Sequence, residues 1–137
     1  MFQQEGFQFM GAAFEVYNQL GYGMAEEVYQ QSLEIELELR SISYRTKHEL
    51  AVFYKARPLN TKYKPDLIVF EGIVVELKAV AQLLPEHAAQ LFNYMRIARR
   101  PVGYLVNFGV PPPFSRAGSM IRIPAQSTPL PRSTRKL

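Results

Sequence analysis

The stretch "YKPDLIVFEGIVVELKA", residues 63–79, constrains this chain more than any other. Two short apolar runs flank Glu71-Gly72 and read as two strands joined by a tight turn. Runs apolar on both faces have to be covered by other elements, yet Asp66, Glu76 and Lys78 interrupt them. Loop length decides which residues oppose each other. A two-residue loop, Glu71-Gly72, would pair Phe70 with Ile73 and set Asp66 against Leu77, on the other face from Glu76. A three-residue loop, residues 70–72, pairs Val69 with Ile73, Ile68 with Val74 and Asp66 with Glu76. We favour the second, because Gly72 then takes the third loop position, where a left-handed residue is required. Alternation puts Lys78 on the face of Glu76. Opposed carboxylates whose Cβ atoms lie about 5 Å apart repel one another, and burial raises the cost. A divalent cation offsets it, and Mg²⁺ takes oxygen ligands. Spacing alone leaves the plainer alternative open, a solvated strand end with an ordinary ion pair.

The surrounding pattern supplies cover for these strands. Residues 5–20 place Phe7, Met10, Phe14, Tyr17 and Leu20 near helical spacing, with Gly21 as the helix end. A second helix is expected over 24–40, with Val28, Leu33, Ile35, Leu37 and Leu39 apolar among glutamates. Residues 48–55 read as a strand and Arg57-Pro58-Leu59-Asn60 as a turn. Pro85 opens a third helix through "EHAAQLFNYMRIARR", Pro101 ends it, and "VGYLVNFG" (102–109) is a buried strand. "MIRI" (120–123) reads as a short edge strand. The first three strands suit an antiparallel meander. The third reaches the fourth through a helix, which normally makes that pair parallel. The expectation is an α/β domain over residues 1–123, a mixed sheet flanked by helices. Residues 124–137, rich in Pro, Ser, Thr and Arg, are expected to be a disordered basic tail.

Charge narrows the partners. All 12 acids lie in residues 1–86 with 8 Lys/Arg, a net −4, whereas residues 87–137 carry 8 Lys/Arg and no acid, a net +8. A basic half suits an anionic partner, nucleic acid above all. The chain has no cysteine and two histidines, which excludes disulfides and cysteine metal sites and argues against a histidine zinc site. No apolar run reaches the length of a membrane span, and the N-terminus lacks signal-peptide character, so the expected location is the cytoplasm with no membrane partner.

Four stretches together carry a family resemblance. Pro65-Asp66, nine residues, then Glu76-Leu77-Lys78 is similar to the PD-(D/E)XK nuclease motif. "GMAEEVY" (23–29) resembles the signature of the GxxExxY proteins through Gly23, Glu26 and Tyr29. "QLFNY" (90–94) resembles a QxxxY motif of the same superfamily, and "LVNFG" (105–109) its closing strand. The order and spacing agree over residues 8–123. One departure is visible: the family tends to have "VHxxLG" where this chain has "VYNQLG", with Tyr17 for the His.

The resemblance implies a restriction-endonuclease-like core. It implies metal ligation by Asp66, Glu76, the main-chain carbonyl of Leu77 and Glu26, with Mg²⁺ or Mn²⁺ as the ion. Lys78 would activate water or stabilise developing charge, and Gln90 and Tyr94 would line the site. Each residue has a plainer reading. Glu26 is one of five glutamates on its helix, Tyr29 suits a core aromatic with a bonded hydroxyl, and Gln90 borders the apolar stripe Leu91, Met95, Ala98. His87 shares a helix face with Gln90 and Tyr94. Arg96, Arg99 and Arg100 are candidates to grip a phosphate backbone.

The function expected is metal-dependent hydrolysis of phosphodiesters in DNA or RNA with low sequence specificity. The alternative is an inert nuclease-fold module that binds nucleic acid or a protein. A triphosphate-using enzyme is disfavoured by the lack of a GxxxxGK[ST] loop. Small nucleases of this type are often dimers, so a homodimer is left open.

Overall fold

The hairpin of residues 67–78 lies at the centre of the architecture. The computed structural model describes residues 1–124, so the expectation of a disordered tail lies, Pro124 apart, outside the described residues. The elements run α1 (Gln3–Leu20), α2 (Glu26–Leu39), β1 (Tyr44–Thr46), β2 (Leu50–Tyr54), β3 (Arg57–Tyr63), β4 (Leu67–Val69), β5 (Ile73–Lys78), α3 (Pro85–Ala98), β6 (Val102–Asn107) and β7 (Met120–Pro124). Five strands form a mixed sheet in the order β1-β4-β5-β6-β7. The pairing is antiparallel except at β5–β6, which α3 connects as a parallel crossover. The edge strand expected at 120–123 is β7.

Strand periodicity divides the core into two layers. Ile73, Val75 and Leu77 of β5 face one way, into a cluster with Phe9, Ala13 and Val16 of α1 and Tyr29, Leu33 and Leu37 of α2. Val74 faces the other way, onto Leu91, Met95 and Ala98 of α3 and Leu105 of β6. Full burial of such a side chain contributes about 1.5–3 kcal/mol, so both faces are firmly covered. The helical apolar stripes are narrower than expected. Phe7, Val28, Ile35 and Leu39 are exposed, and the small residues Ala12 and Ala13 take the buried face of α1.

Two expectations need correction. The strand expected at 48–55 does not join a meander. It is β2, and it pairs only with β3 in a separate two-stranded ribbon. The meander position beside β4 belongs to β1, a three-residue strand of polar residues without a readable period. Residues 57–60, expected as a turn, are strand. The turn lies two residues earlier at Lys55 and Ala56, both left-handed. Pro58 is tolerated there because a two-stranded ribbon leaves outward-facing strand edges, and a proline lacks only a donor.

The hairpin register is the three-residue one: Val69 pairs with Ile73, Ile68 with Val74 and Leu67 with Val75. The reason differs from the one expected. Phe70 and Glu71 carry the positive φ values, 55° and 57°. Gly72 is needed for closeness instead, since a Cβ there would overlap the ring of Phe2.

Candidate active site

Strand β4 begins at Leu67, opposite Val75, so β5 overhangs it by Glu76, Leu77 and Lys78. The backbone groups of an overhang lack a strand partner and must find other ones. Asp66 and Glu76 supply them by exchanging hydrogen bonds with each other's strand. The Leu77 N–H donates to Asp66 Oδ2 at 2.8 Å, and the Asp66 N–H donates to Glu76 Oε1 at 3.0 Å. Both acids are thus fixed by main chain, on the sheet face that carries Val74 and α3.

The electrostatics follow from burial. Glu76 is 8% exposed. Desolvation, then the neighbouring Asp66 charge, push its carboxyl up from an ordinary 4.5 to about 8, against the smaller pull of the Asp66 N–H and of Lys78 and Lys47. Asp66 is less enclosed, and its Oδ1 meets the Lys47 ammonium at 3.3 Å. Lys47 also donates its N–H to the Asp66 carbonyl at 3.3 Å. Sequence reasoning missed Lys47, which reaches the site because β1 pairs with β4.

Lys78 is half-buried and, among the described residues, its ammonium has no ion pair. Its backbone is held firmly. It pairs with Asn107 of β6, and the Phe108 N–H donates to its carbonyl at 2.8 Å. Asn107 is 1% exposed and extends this ladder with its side chain. Its Oδ1 accepts from the Val80 and Gly109 N–H groups, each at 3.0 Å, and its Nδ2 donates to the Val80 carbonyl at 2.9 Å. Gly109 lies so close to Val80 that any Cβ would overlap its backbone. The "LVNFG" stretch therefore fixes the path on which the chain leaves Lys78. A polar residue closing an otherwise apolar strand was the signal available for Asn107.

The α2 residues divide by role. Tyr29 is fully buried, stacks on Phe108 at 4.5 Å and donates its hydroxyl to the Gly21 carbonyl at 2.7 Å, so it is a core aromatic that closes the 21–24 loop. Gln30, unanticipated, is 3% exposed and donates Nε2 to the Asp66 carbonyl at 3.1 Å and to Glu34 Oε2 at 2.8 Å. Glu26 is exposed at the first residue of α2, in the helix layer opposite the face of Glu76. No group of three His, Cys, Asp or Glu side chains fit to hold an ion occurs among the described residues. Tyr17, where a His was noted as missing, is buried, stacks on Phe114 and donates to the Val110 carbonyl at 2.6 Å.

On α3, His87 accepts the Leu84 N–H at Nδ1, 3.0 Å, and so caps its own helix. Gln90 is exposed, while Tyr94 is half-buried against Tyr63 of β3, burial raising its hydroxyl pKa. The three arginines stand at the far end of α3. Because α3 runs back across the sheet, its last turn ends near the start of β5, about 16 Å from Lys78 at 3.3 Å per strand residue. Arg100 sits within electrostatic reach of Glu71 in the hairpin turn, and Arg96 and Arg99 face the β2–β3 ribbon.

The donor set suits a hard cation. Its side-chain donors are all carboxylate oxygen, and a buried acid near a second acid is costly unless positive charge arrives. A mixed sheet between helix layers, with an acid pair and a lysine at the overhang of its central hairpin, defines a nuclease-like fold. Residues 3–117 match the model of the PD-(D/E)XK nuclease superfamily, and the chain belongs to that superfamily. Among solved structures, the crystal structure of SSO0001 is similar with a TM-score of 0.57 at 23% identity, over 79% of this chain and 52% of that one. The chain thus spans about half the length of that structure, and the likeness is one of fold. No curated protein matches the chain. No helix among the described residues is long and apolar enough to cross a membrane.

Proposed function

We propose that this chain is a divalent-metal-dependent phosphodiesterase of nucleic acid, and that within its superfamily it is a GxxExxY protein. The observation that carries the reading is the exchange of backbone hydrogen bonds between Asp66 and Glu76 at the β5 overhang, with Lys78 two residues on. A structural ion pair would not require a carboxylate buried deeply enough to be pushed to about 8. Asp66 and Glu76 would hold Mg²⁺ or Mn²⁺. The Leu77 carbonyl points to the same strand edge as its N–H and would complete the set. The ion, when bound, supplies Lewis acidity toward a phosphoryl oxygen and a more acidic water.

The chain's own groups do the remaining work. Asp66 and Glu76 are preorganised by main chain and need no rearrangement to receive charge. The Lys78 ammonium, uncommitted among the described residues, would stabilise the negative charge that develops on the phosphoryl group. Tyr94 and Gln90 lie on the helix that faces this side of the sheet and would border the substrate. The phosphate esters of DNA and RNA present the same chemistry here, and a site that acts on the phosphate alone would have low sequence specificity.

The test is cleavage of single-stranded, duplex and branched DNA and RNA with Mn²⁺ or EDTA. Asp66→Asn and Glu76→Gln should each abolish cleavage and Mn²⁺ binding by calorimetry. Lys78→Ala should keep Mn²⁺ binding and lose roughly 10²-fold in turnover, the scale of one preorganised charge. Undiminished Mn²⁺ binding in the Asp66→Asn/Glu76→Gln double variant would refute the metal site. Metal binding without cleavage of any substrate would leave a binding module.

A further inference from the structure

The β2–β3 ribbon stands off the main sheet and rests on α3 through β2. Its segment, residues 50–64, holds Lys55, Arg57, Lys62 and Lys64 and no acid. Lys64 pairs with Glu49 at 3.5 Å, and the side chains of β3 are exposed up to Tyr63. Two aromatics are exposed here as well, Phe53 at 51% and Tyr54 at 62%. Between ribbon and helix runs a groove of about 440 Å³, lined by Ala51, Val52, Phe53, Asn93, Arg96, Ile97 and Arg99. Its lining is mixed, with Ala51, Val52, Phe53 and Ile97 apolar beside Asn93 and the guanidiniums of Arg96 and Arg99.

We propose that this groove and ribbon bind a single strand of nucleic acid and lead it to the Asp66–Glu76 overhang. The inference rests on the phosphodiesterase reading for its direction, and on the charge and shape of the ribbon for its occupant. Exposed cations without a compensating acid attract a phosphate backbone. An aromatic beside an apolar slot offers a base a stacking surface, which a duplex keeps hidden inside its own stack. The ribbon is also tied to the site. Tyr63 ends β3 against Tyr94, and Asp66 follows three residues later. Along α3 the distance from Gln90 to Arg99 is about 14 Å, so the strand would be gripped several nucleotides from the bond to be cut. This gives Arg96 and Arg99 a role their distance from the carboxylates would otherwise deny them.

The experiment is fluorescence anisotropy in EDTA, where no cleavage occurs, with labelled oligo-dT of about 16 nucleotides and a duplex of the same length. Phe53→Ala should weaken binding of the single strand roughly tenfold with an unchanged salt slope, and Phe53→Tyr should restore it. Arg57→Gln with Lys62→Gln should flatten the slope of log affinity against log salt by about 1.4, two contacts at the single-strand value. All three positions are exposed, and thermal melts check that the variants fold. Wild-type affinity in the variants, no binding of the single strand, or tighter duplex binding indifferent to Phe53→Ala would each overturn the proposal. The two readings fail separately. Variants that bind normally while the wild type cleaves in Mn²⁺ remove the ribbon and leave the phosphodiesterase. Variants that lose binding while nothing is cleaved do the reverse.

Discussion

Burial and the Asp66 charge push the Glu76 carboxyl of the folded chain up from an ordinary 4.5 to about 8, and the stability of the molecule inherits that difference. Between those values the folded state holds the extra proton, so stability falls as pH rises. The contribution is fully present below about 4.5 and is lost as pH passes through about 8. Glu76→Gln keeps the shape and removes the titration. In EDTA the variant should therefore be more stable than wild type at pH 9, by an order of a few kcal/mol, and nearly equal at pH 5. Urea melts across that range measure the difference, and parallel curves for the two proteins would contradict the burial of this acid. The metal-free protein accepts a cost at one residue that a bound cation would relieve.

At the level of elements, the end of β6 matters as much as the strand that bears the acids. Asn107→Ala leaves the Val80 N–H and carbonyl and the Gly109 N–H without their partners. Such losses cost about 1–3 kcal/mol per buried group before relaxation. We expect stability to fall by about 3 kcal/mol in all and turnover to drop, with Mn²⁺ affinity kept because Asp66 and Glu76 are tied to β4 and β5. Calorimetry beside kinetics separates the two, and equal losses in both would show that Asn107 holds the whole hairpin. The elements also show what could be read in advance. The β4–β5 register was read from Gly72 at the third loop position, the right pairing although Phe70 and Glu71 carry the left-handed backbone, and the crossover was read from the helix between the third and fourth strands, because both are local patterns. β1 was invisible, since three polar residues have no period and only tertiary pairing makes them strand. β3 was hidden by Pro58, a turn residue that an open ribbon edge tolerates. Lys47 and Gln30 come to Asp66 from elements far along the chain, and no local pattern announces that. Arg96, Arg99 and Arg100 could be named as cations from the sequence, which gives a helix its faces but not the end of the sheet at which it finishes.

For the whole molecule, the division into layers sets how the site is assembled. The acids belong to a hairpin closed by residues 70–72, whereas the support of Lys78 waits for β6, beyond a crossover of residues 79–101. Closing the longer loop costs more chain entropy, and contacts of greater separation form later in folding. The two halves of the site therefore have different histories and different resistance to local opening. In native-state hydrogen exchange the Val80 and Phe108 amides should open at a lower free energy than the Leu77 amide, which Asp66 holds within the hairpin. The opposite ranking would mean that β6 forms the older nucleus. With this order, heating or mild denaturant would take away the aim of the lysine while the pocket for charge still stood, and the protein would pass through a state that captures a cation without being able to use it.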